Sequence, residues 1–75
     1  MLVRTFQTEQ NKAMALMQGE PDRADYWRGV LLGVRRQYYG KTFNTETEHD
    51  LLMSLQNQKG EGYRDGLAVR DPIAK

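Results

Sequence analysis

Glu46 and His49 have a spacing that could bind a metal ion. Residues three apart lie on one face of a helix. In di-iron bundles, facing helices supply two such Glu-x-x-His pairs and two more glutamates. This sequence has one histidine, so a second copy of the chain would have to complete the site. Both residues are explained more simply as helix-start and helix-surface residues, and we predict no metal site and no cofactor.

Nucleophilic catalysis has little support in the sequence. Ser54 is the only serine, and there is no cysteine. Ser54 lies in a leucine-rich segment, and His49 falls on a different face of the same predicted helix. No phosphate-binding loop, dinucleotide-binding fingerprint or calcium-binding loop is present. We therefore expect no catalytic residues and a protein that is not an enzyme.

Five side chains of one predicted helix could form a partner-binding surface. They are Arg28, Leu32, Arg35, Arg36 and Tyr39. Arginine and tyrosine are enriched among residues that anchor protein interfaces. Arginines also bind phosphates and tyrosines stack on bases, so the partner could be a protein or RNA. The simpler alternative is that the arginines complement the helix dipole and pair with acidic residues in 46–50.

The helix that carries this surface, over residues 22–40, is the clearest element of the sequence. Its apolar residues recur at helical spacing and predict a core-facing stripe. They are Trp27, Val30, Leu31, Val34 and Tyr38. Pro21 suits a first helical turn, and Gly40 suits a left-handed C-terminal cap.

Tyr26, Gly29 and Gly33 form another face of this helix. Each interior glycine costs up to about 1 kcal/mol relative to alanine, but it lets a second backbone come close. We favour close packing against another helix of the same chain, with a dimer seam as the alternative. Residues 63–67 repeat the Tyr-x-x-Gly-apolar pattern of residues 26–30. We interpret both copies as a packing device.

Three other helices complete the prediction. The first runs from about Thr8 to Gly19, and a short one covers residues 63–70. The third covers residues 46–58, ended by Gly60, and a Thr45–Glu48 capping box opens it. Its predicted core face consists of Leu51, Leu52 and Leu55, and Phe43 is expected to cover one end of the core.

The predicted fold is all-α: a small bundle of three main helices plus a short C-terminal helix, with the second and third helices antiparallel. Residues 1–75 would form a single domain, and the sequence leaves open whether 1–5 and 72–75 are ordered. A chain of 75 residues supports only a marginal core. Tight helix packing or self-association would have to supply the rest of its stability.

Residues 62–68, Gly-Tyr-Arg-Asp-Gly-Leu-Ala, resemble a Gly-Tyr-x-x-Gly helix segment of ribosome modulation factor, a family of small helical stationary-phase proteins. Trp27 and Arg28, with Gly29, loosely resemble that family's tryptophan-containing helix. The resemblance covers fewer than twenty residues, and the two elements come in the opposite order. It would imply contact with ribosomal RNA.

Composition narrows the functional classes. The chain has 11 basic and 10 acidic residues, and nucleic-acid binding usually requires a more basic surface. No targeting signal or membrane segment is visible, so we expect a cytoplasmic protein. The leading prediction is a non-enzymatic interaction module, a bacterial or phage- or plasmid-type regulator or inhibitor that binds another protein and could be homodimeric. The alternative is an RNA- or ribosome-binding protein that uses the basic face of the second helix.

Overall fold

The computed structural model describes residues 1–72, and every regular element among them is helical. Four α-helices follow one another: α1 (Val3–Gly19), α2 (Ala24–Tyr39), α3 (Glu46–Ser54) and α4 (Gln58–Leu67). Short 3-10 turns, Pro21–Arg23 and Gly40–Thr42, flank α2. The predicted all-α class is confirmed, with four helices that pack together.

The apolar stripe of α2 forms the centre of the core. The buried members of this core are Phe6, Ala13, Val30, Leu31 and Val34. Phe6 of α1 stacks on Tyr38 of α2, with ring centroids 4.2 Å apart and planes 10° from parallel. The α1–α2 contact is therefore a conventional one between side chains.

The contact of α2 with α4 is made through backbone instead. A methyl group on Gly29 would overlap the carbonyl of Lys59 and lie 2.8 Å from the amide nitrogen of Tyr63. One on Gly33 would overlap the carbonyl of Tyr63 and lie 3.0 Å from the Cα of Gly66. Real Cβ atoms do not approach other atoms this closely, so only glycine fits at these two positions.

Gly62 and Gly66 of α4 likewise have no space for a methyl group, because each lies against the backbone of α2. We call Gly29, Gly33, Gly62 and Gly66 together the glycine seam. Residue numbers rise in both helices along the seam, from Tyr26 beside Gly62 to Gly33 beside Gly66. The two helices therefore run in the same direction. This face of α2 is filled by a helix of the same chain.

The helix pairing differs from the one expected from the sequence. We expected α2 to pack antiparallel on the third helix, but its extensive contacts are with α4 and α1, while α3 contacts mainly α4. The glycine seam explains this, because it lets two backbones approach more closely than bulky leucines allow. No residue of α3 is buried: Leu51 is exposed, and Leu52 and Leu55 are only half-buried.

Two helix boundaries also differ. The third helix ends at Ser54 rather than at residue 58, and α4 begins at Gln58. Asn57 caps α4, since its side-chain oxygen accepts from the amide of Gly60 at 2.9 Å. Gly60 was predicted to stop the third helix. It lies instead in the first turn of α4. A Cβ at this position would come within 2.6 Å of the Leu55 Cβ, which explains why the residue is glycine.

The N-terminal residues, whose order the sequence left open, lie in and beside the first helix. This helix starts at Val3 rather than near Thr8, and Thr5 is buried. The amide of Leu2 donates to the carboxylate of Asp71 at 2.9 Å, which joins the two ends of the described chain. Of the C-terminal residues 72–75, the last three, 73–75, lie outside the described residues.

Candidate functional site

Leu51, which the sequence assigned to the core, lies on the surface of α3 and is 59% exposed. Met53, expected to one side of the core face, is 41% exposed. The helix begins with the predicted cap, in which Thr45 Oγ1 accepts from the amide of Glu48 at 3.1 Å. The cap therefore sets the start of the helix without fixing which face is buried.

An open groove runs between α2 and α3, with a volume of about 280 Å³. Its apolar lining comes from Leu32 of α2, Phe43 of the connection, and two leucines of α3. The full lining is Leu32, Phe43, Asn44, Glu48, Leu51, Leu52 and Lys59. We call it the α2–α3 groove.

Tyr39 extends the apolar surface beyond the groove. Its ring stacks on Phe43 at 6.3 Å, with planes 16° from parallel, and Tyr39 is itself 52% exposed. Its other face meets Phe6 edge-on at 5.5 Å. The exposed tyrosine is therefore held in place by aromatic neighbours from two parts of the chain.

The structure separates the five residues that we predicted to bind a partner. Leu32 and Tyr39 lie in or beside the α2–α3 groove. Arg28 is exposed and pairs with Asp25 at 2.9 Å. Arg35 turns towards α1 and donates to Gln10 at 3.0 Å. These residues therefore do not form one continuous basic surface.

Arg36, the fifth predicted residue, is buried beneath α3. It donates to Asn44 Oδ1 at 2.6 Å and to Glu46 Oε1 at 3.0 Å. The hydrogen bond and charge of Arg36 lower the pKa of the Glu46 carboxyl below its usual value. This contact matches the simpler alternative stated for the sequence, in which an arginine of α2 pairs with an acidic residue of the third helix.

A buried hydroxyl continues this network. Tyr63 of α4 is fully buried, and its hydroxyl oxygen lies 2.6 Å from His49 Nδ1 and 3.3 Å from Asn44 Nδ2. At the other end of α3, Arg64 donates to the carbonyls of Met53 and Leu55, both at 2.8 Å. Hydrogen bonds therefore attach both ends of α3 to α4.

These contacts also give roles to Glu46 and His49, the two residues whose spacing could have been part of a metal site. Glu46 is bound by Arg36, and His49 is bound by Tyr63. Within residues 1–72, no three His, Cys, Asp or Glu side chains lie close enough together to hold a metal ion.

Two other cavities lie outside the groove. One of about 670 Å³ borders the end of α3 and has a mostly polar lining that includes Arg64, Ser54 and Asn57. Another of about 350 Å³ lies at the N-terminal corner, between Leu2 and Arg70. Each lining includes hydroxyl and carboxylate side chains, Ser54 with Glu61 in the first and Thr5 and Thr8 with Glu9 in the second. Ser54 donates to the carbonyl of Leu51 rather than to Glu61.

Four residues that line the α2–α3 groove were not predicted to form a surface groove: Phe43, Leu51, Leu52 and Lys59. No signal of this exposure is present in the sequence, because Leu51, Leu52 and Leu55 span an arc of about 100°, which is the usual width of a buried helix stripe. All three were therefore predicted to belong to the core.

Comparisons with protein-family models, curated proteins and solved structures find no match for this chain. They give no support to the resemblance of residues 62–68 to ribosome modulation factor. The residues that carry that resemblance, Gly62, Tyr63 and Gly66, are buried at the contact with α2. Among residues 1–72, no helix has the length and apolar character needed to cross a membrane.

Proposed function

We propose that this protein is a non-enzymatic protein-binding module whose α2–α3 groove holds an amphipathic helical segment of a partner protein. The observation that carries the proposal is the exposure of Leu51 beside Leu32 and Phe43 in an open groove. A helix that lays its apolar row into such a groove is a recurrent mode of peptide recognition.

The size of the groove favours side chains of a protein over a small molecule. At about 280 Å³ it lies just below the usual range of ligand pockets, which begins near roughly 300 Å³. It is open and has room for one or two apolar side chains. Tyr39 lies next to it and would add the rigid aromatic contact that often dominates binding energy.

The charges around the groove define the chemistry of the partner. Lys59 lines it, and Arg28 lies one helical turn before Leu32 on α2, while Glu48 is the acidic lining residue. The pairing of Arg28 with Asp25 is exposed, and such pairs contribute little. Arg28 is thus available to another carboxylate. The partner segment therefore has acidic side chains beside its apolar row.

RNA binding through the basic face of α2 remains the alternative. Fewer side chains support it than the sequence suggested, because Arg36 is buried against Asn44 and Arg35 contacts Gln10. Phosphate binding would also depend steeply on salt, whereas an apolar contact would not.

Peptide binding tests the proposal directly. The probe is a fluorescein-labelled helical peptide of about 18 residues, or five turns, with leucines at i, i+3, i+4 and i+7 and glutamates beside them. We expect it to bind the wild type, and Leu51→Glu to weaken binding by roughly tenfold or more, as for an interface anchor. The matched control is Met14→Glu on α1, because Met14 is also about half exposed, at 48%.

Three further measurements separate the alternatives. A lysine version of the peptide should bind more weakly than the glutamate version, and single-stranded RNA should not bind. Equal binding of the peptide to wild type and Leu51→Glu would contradict the proposal. So would RNA binding that Leu51→Glu leaves intact and added salt abolishes. A wild-type dimer that Leu51→Glu dissociates would identify a second copy as the occupant.

A further inference from the structure

The hydrogen bonds beneath α3 have a fixed direction, and this direction is set by Arg36. A guanidinium can only donate, so Asn44 must turn its oxygen towards Arg36. The amide nitrogen of Asn44 then points to the Tyr63 hydroxyl and donates to it. The hydroxyl hydrogen is left for the remaining neighbour, His49 Nδ1, at 2.6 Å.

This arrangement requires a neutral imidazole. Because Tyr63 donates to Nδ1, that nitrogen carries no hydrogen, and the ring proton is on Nε2. A second proton on His49 would place an N–H against the hydroxyl. The oxygen could accept it, but the hydroxyl hydrogen would then have no acceptor among residues 1–72, at a fully buried side chain.

We propose that the His49–Tyr63 hydrogen bond is a pH-sensitive latch that holds α3, and with it one wall of the α2–α3 groove, against α4. Such a latch can influence α3 because no residue of this helix is buried. Its other attachments are polar: the Arg36–Glu46 pair and the hydrogen bonds from Arg64. A free helix of nine residues is unstable in water. Releasing His49 therefore loosens the wall that carries Leu51. The consequence for binding rests on the proposed function of the groove, whereas the latch does not.

The charged groups around His49 oppose one another. On α3 itself, Glu46 lies one turn before the ring, and Glu48 and Asp50 flank it in sequence. From α2, Arg36 is paired with Glu46 at 3.0 Å. From α4, Tyr63 meets the ring, with Lys59 one turn before it and Arg64 next to it. Glu46 and Arg36 are paired with each other, and Tyr63 is the side chain that forms a hydrogen bond with the ring.

Hydrogen exchange tests the latch. A histidine gains its second proton between about pH 8 and 5, and Glu46 stays ionised there because its pKa is lowered. We expect the protection of the α3 amides, corrected for intrinsic rates, to fall about tenfold or more from pH 7.5 to about 5.5. Amides of residues 29–37 in α2 should keep their protection.

Two variants isolate the histidine. His49→Asn places an oxygen near the position of Nδ1, so it accepts from Tyr63 at every pH and should keep α3 protected at both values. Tyr63→Phe removes the hydroxyl and should also abolish the pH response of α3. Unchanged α3 protection in the wild type, or an equal loss in His49→Asn, would overturn the latch.

The glutamate peptide distinguishes the latch from the groove proposal. If both hold, wild-type affinity falls between pH 7.5 and about 5.5, in parallel with α3 protection, and His49→Asn binds equally at both. If α3 loses protection but the peptide never binds at pH 7.5, the latch stands and the groove proposal fails. If the peptide binds with pH-independent affinity while α3 stays protected, the latch fails and the groove proposal stands.

Discussion

The α2–α4 contact and the attachment of α3 use opposite means to join helices. Along the glycine seam, two backbones touch and leave no space for a methyl group. The attachment of α3 depends on His49, Arg64 and the Arg36 network, and it buries no residue of α3. The first contact tolerates almost no change of shape. The second depends on directional and titratable groups, so it can respond to pH or to a ligand.

The difference suggests a division of labour. The seam joins α2 and α4 through direct backbone contacts. Val30 and Val34 of α2 form the core together with residues of α1. α3 spans the connection between the two helices and exposes the apolar residues that a partner could use. Elements that move or bind are usually drawn from the least stable part of a fold.

The largest effect should follow from filling the seam. Gly29→Leu places a side chain where the carbonyl of Lys59 lies, and overpacking of this kind costs about 3 kcal/mol or more. That is comparable to the whole stability of a domain of this size, so we expect an unfolded chain by circular dichroism. Gly19→Leu is the control, because a side chain there meets nothing within 4 Å. A folded Gly29→Leu would show that the seam can open.

The glycine seam also shows which features of the fold could be predicted from the sequence and which could not. The stripe of α2, its glycine face and the Thr45 cap follow from local periodicity and chemistry, and each could be identified from spacing alone. Which helix would meet Gly29 could not, because the leucines of the third helix and the glycines of α4 were both suitable partners. Backbone complementarity decides in favour of α4, and that property appears only when two helices are brought together.

The same reasoning explains the part of the site that was missed. With α4 on the glycine face of α2, α3 packs mainly against α4 and leaves Leu51 exposed at the groove. The fate of Arg36 was equally out of reach, since its burial depends on where the connection places Asn44. Local signals predicted the residues of interest on α2, but not which of them would remain accessible.

A smaller loss should follow from removing the guanidinium beneath α3. Arg36→Met keeps the buried stem but leaves the half-buried Asn44 Oδ1 without its donor, and hydrogen bonds to charged groups contribute about 1.5–3 kcal/mol. Arg28→Met is the control, because exposed ion pairs contribute at most about 1 kcal/mol. Urea unfolding measures both changes. Equal effects would mean that the network beneath α3 is no stronger than a surface pair.

Alkaline pH should weaken the contact between α2 and α4. Tyr26 of α2 donates to Asp65 of α4 at 2.5 Å, and burial, followed by the bond and charge of Asp65, raises the pKa of Tyr26 from 10.0 to about 12. A pKa raised in the folded state means that the contribution is complete below pH 10 and is lost towards about 12. Thermal unfolding of wild type should therefore lose more stability over this interval than Tyr26→Phe, and identical profiles would exclude the bond as a source of stability.

Acid should weaken the attachment of α3, and we expect this effect on stability to be the smallest of the four. Arg36 lowers the pKa of Glu46, so this contribution is complete above the usual glutamate value of 4.5 and is lost as the pH falls through the lower, folded value. The loss is best measured in His49→Asn, where the latch cannot respond, by comparing α3 protection at about pH 5.5 and 3. Adding Glu46→Gln should flatten that response.

Asp71, whose pKa is also lowered, mainly by the amide of Leu2, lies at the N-terminal corner. Acid loss confined to that corner, with α3 unchanged, would mean that Glu46 contributes nothing to holding α3.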